Sequence, residues 1–209
     1  MLNPNAAGWR ILWTMTDYLP PADSATETPN AVTTLMNGGL TDRVWFNALW
    51  FQSVWFCTVL GGHSLLPLTY TLILLHLALA RDTRLEMLHL SGLAAIGITV
   101  DAILSSAGVF AFSGGVLVPL WLCCLWIAFA TTLTRSLAYL GSRPLLCALA
   151  GAVVFPLNYW AGQRLGAVEF PQSLPVTMGI MAVFWAVTLP LMYRLAAILK
   201  QAQNGEVAS

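Results

Sequence analysis

Charged residues are scarce in this chain of 209 residues: Asp, Glu, Lys and Arg together make up 9% of it, while hydrophobic residues make up 58%. A water-soluble domain usually carries roughly a quarter charged residues, because its surface must face water. The scarcity excludes an ordinary soluble domain and favours lipid as the solvent. The nine basic and nine acidic residues cancel, so nothing indicates a nucleic-acid partner or attachment to anionic lipid through a basic cluster.

Recognisable signatures of metal, cofactor and covalent chemistry are also missing. The four cysteines lie inside apolar runs and form no CxxC pair; they are Cys57, Cys123, Cys124 and Cys147. His76 and His89 fall toward the same end of two predicted helices, but Glu86 alone beside them is too few ligands for a metal site. No GxSxG motif occurs. We therefore predict no metal, no cofactor and no catalytic residue, and an enzyme is the least favoured class.

The polar ends of the chain contrast with its apolar middle. Residues 1–43 are polar and rich in turn-forming residues such as Pro20, Pro21 and Pro29. Such a segment cannot bury enough apolar surface to fold alone, so we predict a disordered or surface-lying N-terminal tail. Residues 44–200 are predicted to form the membrane domain, and residues 201–209 a short C-terminal tail in the cytoplasm.

Six apolar runs approach the length that crosses a bilayer, which is about 20 helical residues at ~1.5 Å rise each. They cover residues 44–60, 65–80, 88–112, 116–133, 145–162 and 174–199. With the N-terminus inside, the inner segments hold Arg10, Arg43, Arg81, Arg84, Arg135, Arg143, Arg194 and Lys200, and the outer loops hold only Arg164. Because basic residues stay on the cytoplasmic side, we predict an all-α bundle of six transmembrane helices with both termini inside, in a bacterial inner membrane.

Asp101 is the charged residue that most needs an explanation. It falls near the middle of the third predicted helix, where an unpaired carboxylate costs a few kcal/mol at least. Gly97, Ser105 and Gly108 share its helical face, and small residues let a neighbouring helix approach closely. Gln52, or Asn47 closer to the cytoplasm, are the candidate partners in helix one. Two interpretations of Asp101 stay open. It either holds helices together through hydrogen bonds, or it is an acid that binds a proton or a cation.

A second polar group lies at the outer end of the fifth predicted helix. Pro156 interrupts the backbone hydrogen bonds of that helix, and Asn158, Tyr159 and Arg164 follow it. Arg164 is predicted either to clamp a phosphate or carboxylate, or to pair with the nearby Glu169. Five residues are therefore the hypothetical binding residues of the chain: Asp101, Gln52, Asn158, Tyr159 and Arg164.

Four groups of residues together resemble a known family. They are WFQSVWF (50–56), IGITVD (96–101), VPLW (118–121) with LWIAFATTL (125–133), and PLNYWAG (156–162) with LGA (165–167). From about residue 44 onward the chain resembles the domain-of-unknown-function family 2878, small polytopic proteins of bacterial inner membranes. The family has no established activity, so the resemblance implies the architecture and no catalytic residues. Its members are often encoded beside lipid-modifying enzymes, including relatives of cyclopropane fatty-acid synthases, which implies a role in envelope lipid metabolism.

Three functions follow, in order of preference. The first is an accessory or lipid-associated membrane protein, whose partners are membrane lipids and a membrane-bound or cytoplasmic enzyme. The second is a small permease coupled to protons or cations through Asp101, and the third is a lipid-modifying membrane enzyme. A polar cavity that reaches Asp101 favours the permease, whereas a dry and packed Asp101 favours the first function.

Overall fold

The regular secondary structure of the described residues is helical, apart from one isolated β-bridge between Ala111 and Glu169. The computed structural model describes residues 40–80 and 83–207, so the predicted N-terminal tail lies outside the described residues up to position 39. Within these ranges there are six α-helices: α1 (Val44–Gly61), α2 (Leu66–Leu79), α3 (Thr83–Ser106), α4 (Leu120–Thr134), α5 (Pro144–Arg164) and α6 (Leu174–Val207). Three 3₁₀ turns accompany them, at Leu40–Asp42, Ser113–Gly115 and Ala138–Ser142. The predicted all-α class with six helices is confirmed.

Three of the helices are long and apolar enough to cross a membrane. Their spanning segments are Glu86–Ser106, Pro144–Arg164 and Leu174–Leu199. The apolar helices α2 and α4 are shorter, and α1 carries the amides Asn47 and Gln52 among its apolar residues. The chain therefore has the helices of a membrane protein, while six spans and a cytoplasmic N-terminus stay predictions.

The third helix ends earlier than its apolar run. The run extends to residue 112, but α3 stops at Ser106. Gly108 then adopts a left-handed conformation with φ of 70°, which glycine tolerates because it has no Cβ. The amide of Val109 donates back to the Leu104 carbonyl at 3.0 Å, a bond that closes a helix C-terminus. Asp101 consequently lies five residues from the end of α3, about 8 Å along the axis, and its predicted position near the middle of the helix is wrong.

Contacts between distant residues show that successive helices run up and down. At one end, which we call the Arg135 end, Arg135 after α4 bonds Glu86 near the start of α3, and Tyr193 of α6 donates to the Leu137 carbonyl. At the opposite end, the Glu169 end, the backbones of Ala111 and Glu169 exchange two hydrogen bonds of 2.9 and 2.8 Å. The start of α3 and the end of α4 therefore lie at the Arg135 end. The loops that follow α3 and α5 meet at the Glu169 end.

The core of the bundle is built on close helix approaches and stacked aromatic rings. A Cβ added at Gly151 of α5 would overlap the backbone carbonyl of Trp185 in α6, so these helices pack backbone to backbone. The ring of Trp185 stacks on Phe155 at 4.3 Å and on Trp126 of α4 at 5.0 Å. Trp185 itself is completely buried. The aromatic stack thus joins α4, α5 and α6 in one core.

Candidate functional site

Asp101 is completely buried, and its carboxylate ties three helices together. The Nε1–H of Trp126 in α4 donates to its Oδ2 at 2.6 Å. The hydroxyl of Tyr159 in α5 donates to its Oδ1. Both carboxylate oxygens therefore have a donor, which is what a buried polar group needs to avoid a large desolvation cost.

The two donors are themselves held in place by packing. A Cβ at Gly97, one turn before Asp101, would overlap the indole ring of Trp126. The absence of a side chain there lets the ring lie against α3 and reach the carboxylate. On the other side, Phe110 from the loop after α3 stacks on the Tyr159 ring at 4.8 Å and is fully buried. Gly97 was expected to admit the backbone of a neighbouring helix, but the group that lies against it is the indole ring of Trp126.

The amides considered as partners of Asp101 lie elsewhere. Gln52 is on an exposed face of α1. Asn47 is buried near the Arg135 end, where its Nδ2 donates to Thr131 at 2.8 Å and its Oδ1 accepts from Ser136 at 2.7 Å. The expectation that either amide pairs with Asp101 is wrong, because the donors to its carboxylate are the Trp126 Nε1–H and the Tyr159 hydroxyl.

The residues that follow Pro156 separate into different surroundings. Tyr159 turns inward to Asp101, whereas Asn158 is exposed and its Nδ2 donates to the Val154 carbonyl of its own helix at 2.9 Å. Arg164 is exposed at the end of α5. Among the described residues no ion pair joins Arg164 to Glu169. Asn158, Tyr159 and Arg164 therefore do not form one polar site.

A groove bounded by α1, α4 and α5 is the feature that the sequence did not reveal. It encloses about 180 Å³ and is lined almost entirely by apolar side chains. The lining residues are Phe51, Trp55 and Val59 of α1; Trp121, Leu122, Leu125, Trp126 and Phe129 of α4; Val154, Phe155, Asn158, Tyr159 and Gly162 of α5; and Phe112, Leu137, Ala167 and Val168 from the loops. At its edge the side chains of Val154 and Asn158 are exposed. Trp126 and Tyr159 belong both to this lining and to the Asp101 site.

The Arg135 end holds a second polar cluster. Arg135 donates to Glu86 at 2.8 Å and to Asp42 at 3.3 Å, and the Nε2 of His76 lies 3.3 Å from the same Glu86 oxygen. The nearly buried His76 ring packs against Trp50 at 4.6 Å. These contacts join the start of α1 to α2, α3 and α4 across a partly water-accessible end of the bundle.

The two sequence-predicted histidines therefore do not converge. The Nε2 of His76 lies 3.3 Å from Glu86, whereas the Nε2 of His89 lies 3.2 Å from the Ala196 carbonyl in α6. Across residues 40–80 and 83–207, no group of three His, Cys, Asp or Glu side chains is placed to hold a metal ion. The buried carboxylate at Asp101 has no basic partner in that part of the chain and is held by neutral donors.

Comparison with known proteins gives one match. The model of the family described as "Protein of unknown function (DUF2878)" matches residues 44–191, so the chain belongs to that family, as its motifs indicated. No curated protein matches the chain, and no solved structure does. The family carries no activity to transfer, and the function must be argued from the geometry.

Proposed function

We propose that this member of the family is a multi-pass protein of a bacterial inner membrane that associates with lipid and serves envelope lipid metabolism as an accessory protein. The observation that carries the proposal is the groove between α1, α4 and α5. Its lining is apolar, and Val154 and Asn158 of that lining are exposed on α5. Inside a bilayer such a groove faces the hydrocarbon chains, so the apolar part of a lipid is the ligand that can enter it directly.

Charge distribution supports the proposed orientation. Among the described residues, five arginines lie at or toward the Arg135 end, and Arg164 lies at the opposite end; the five are Arg43, Arg84, Arg135, Arg143 and Arg194. Positive residues are retained on the cytoplasmic side of membrane proteins. We therefore assign the Arg135 end to the cytoplasm and the Glu169 end to the outside, with all six helices crossing the membrane.

The surroundings of Asp101 favour this function over a permease. A proton- or cation-coupled carrier needs a polar route to its acid, since such residues face a water-filled cavity. Here the carboxylate is fully buried, both of its oxygens accept hydrogen bonds, and the adjoining groove is apolar. Asp101 is best explained as a structural residue whose hydrogen bonds hold α3, α4 and α5 together beside the groove.

Filling the groove tests the proposal. Val154→Trp places a large ring at the groove edge, while Val153→Trp adds the same ring at the neighbouring residue, which is equally exposed but does not line the groove. Each protein is purified in a mild detergent, and the lipid that stays bound after washing is counted by mass spectrometry. We expect Val154→Trp to lose bound lipid and Val153→Trp to retain as much as the unaltered protein. Equal retention by all three proteins would contradict lipid binding in the groove.

A further inference from the structure

The lining of the groove is unusually rich in aromatic rings. Eight of its residues are aromatic: Phe51, Trp55, Phe112, Trp121, Trp126, Phe129, Phe155 and Tyr159. Several are already fixed by neighbouring rings, as Phe129 is by edge contacts to Phe51 at 5.9 Å and to Phe155 at 5.3 Å. Aromatic rings gain stacking or edge-to-face contacts from another flat π-system, beyond simple burial of area. Rigid rings therefore favour a flat unsaturated ligand over a flexible saturated one.

The size of the groove agrees with one ring. An apolar cavity of about 150 Å³ is large enough to stay dry and bind benzene, and this groove measures about 180 Å³. A saturated chain that entered the same space would lose the freedom of each rotatable bond that it fixes. A single six-membered ring has no rotatable bond to fix. Its binding in the groove therefore costs less conformational entropy than the binding of a saturated chain.

Asn158 provides a polar contact at the edge of this apolar space. Its side-chain NH₂ carries two hydrogens, and the hydrogen bond to the Val154 carbonyl uses one of them. The residue is exposed on a helix that is long and apolar enough to cross a membrane. A polar group that faces hydrocarbon needs a partner, because lipid offers none. A carbonyl oxygen on a bound ring would accept the second hydrogen.

We propose that the groove binds a lipid whose polar end is a flat, unsaturated ring with carbonyl acceptors, which is the chemistry of a membrane quinone. The ring lies among the aromatic side chains, one ring carbonyl accepts from Asn158, and the apolar tail leaves through the open edge into the bilayer. This inference rests on the proposed function, since it names the class of lipid that the groove holds.

Two probes with the same tail separate the ring from the chain. Decylubiquinone carries the ring and a ten-carbon tail, and decane carries the tail alone. Binding of each is measured on protein in nanodiscs of phosphatidylethanolamine and phosphatidylglycerol. We expect decylubiquinone to bind about tenfold more tightly than decane. Asn158→Leu changes an exposed residue and should weaken decylubiquinone binding about tenfold, while decane, which has no hydrogen-bond acceptor, should be unaffected.

Tryptophan variants on one helix complete the design. Trp55→Leu removes a ring from the groove lining, and Trp45→Leu removes an exposed ring of α1 that lies outside it. The first should weaken decylubiquinone binding, and the second should not. Equal affinity for the two probes, with both lost in Val154→Trp, would overturn the ring-lipid assignment and leave lipid binding intact. Binding of both probes unchanged by Val154→Trp would overturn the proposed function as well.

Discussion

Asp101 shows at the scale of one residue why an acid can stay in an apolar bundle. It has no basic partner among the described residues, and neutral donors from two helices satisfy it instead. Those donors bring an indole and a phenol ring with them, so the same contacts bury apolar area. The acid therefore specifies how α3, α4 and α5 meet.

Replacing Asp101 by Ala should lower stability strongly. The change leaves the Trp126 N–H and the Tyr159 O–H buried without an acceptor, and each such group costs about 1–3 kcal/mol. We expect the thermal unfolding of purified Asp101→Ala in detergent, followed by tryptophan fluorescence, to shift to a clearly lower temperature. The unfolding temperature of Tyr159→Phe should lie between those of the unaltered protein and Asp101→Ala, because this change removes only one of the two hydrogen bonds.

Thr99→Ala is the control for this substitution. Thr99 lies on the exposed face of the same helix and bonds only the Ala95 carbonyl of its own turn at 2.7 Å. Its loss should leave the unfolding temperature nearly unchanged. If Asp101→Ala and Thr99→Ala unfold at the same temperature, Asp101 does not hold α3, α4 and α5 together.

At the scale of helices, close approach depends on small residues at particular places. Gly97 admits the Trp126 ring, and Gly151 admits the backbone of α6. The sequence indicated the first of these, because Gly97 shares a helical face with Asp101. It did not indicate the second, because nothing in the apolar run of α5 tells which of its small residues meets another backbone.

A methyl group at Gly151 tests the contact between α5 and α6. In Gly151→Ala the new Cβ meets the Trp185 carbonyl, and a backbone atom cannot move aside as a side chain can. We expect the helices to separate and the unfolding temperature to fall, despite a gain in helix propensity of about 1 kcal/mol. Gly179→Ala in α6 makes the same change where the space is open, and should be neutral or stabilising. Equal unfolding temperatures of Gly151→Ala and Gly179→Ala would mean that α5 and α6 are not in close backbone contact at Gly151.

For the whole molecule, the up-and-down order of the helices gathers most of the arginines at one end. The sequence predicted this asymmetry from the spacing of basic residues between apolar runs. The structure adds that Arg135 is engaged there with Glu86 and Asp42, at 11% exposure of its side chain. The cluster joins four elements and gives the proposed cytoplasmic end a fixed polar surface.

Two cysteine reporters check this orientation. Ser142→Cys lies at the Arg135 end and Ser173→Cys at the Glu169 end, and both serines are exposed. They are introduced into a variant whose four native cysteines are replaced by alanine. A membrane-impermeant maleimide added to spheroplasts should label Ser173→Cys at once and Ser142→Cys only after lysis. The reverse pattern would place the Arg135 end outside.

The sequence by itself determined the apolar class of the chain, the number of helices and the family, because each depends on composition or on residues near one another in the chain. Even the early end of α3 had a local signal in Gly108, whose left-handed conformation closes the helix.

Only the tertiary structure decided which side chains meet Asp101 and where a groove opens. Trp126 and Tyr159 lie 25 and 58 positions away from Asp101 in the chain, and polarity alone pointed to Gln52 and Asn47. The groove needs one face from each of three helices. Helical periodicity describes a face within one helix but not its rotation against another, which depends on packing of all the side chains together.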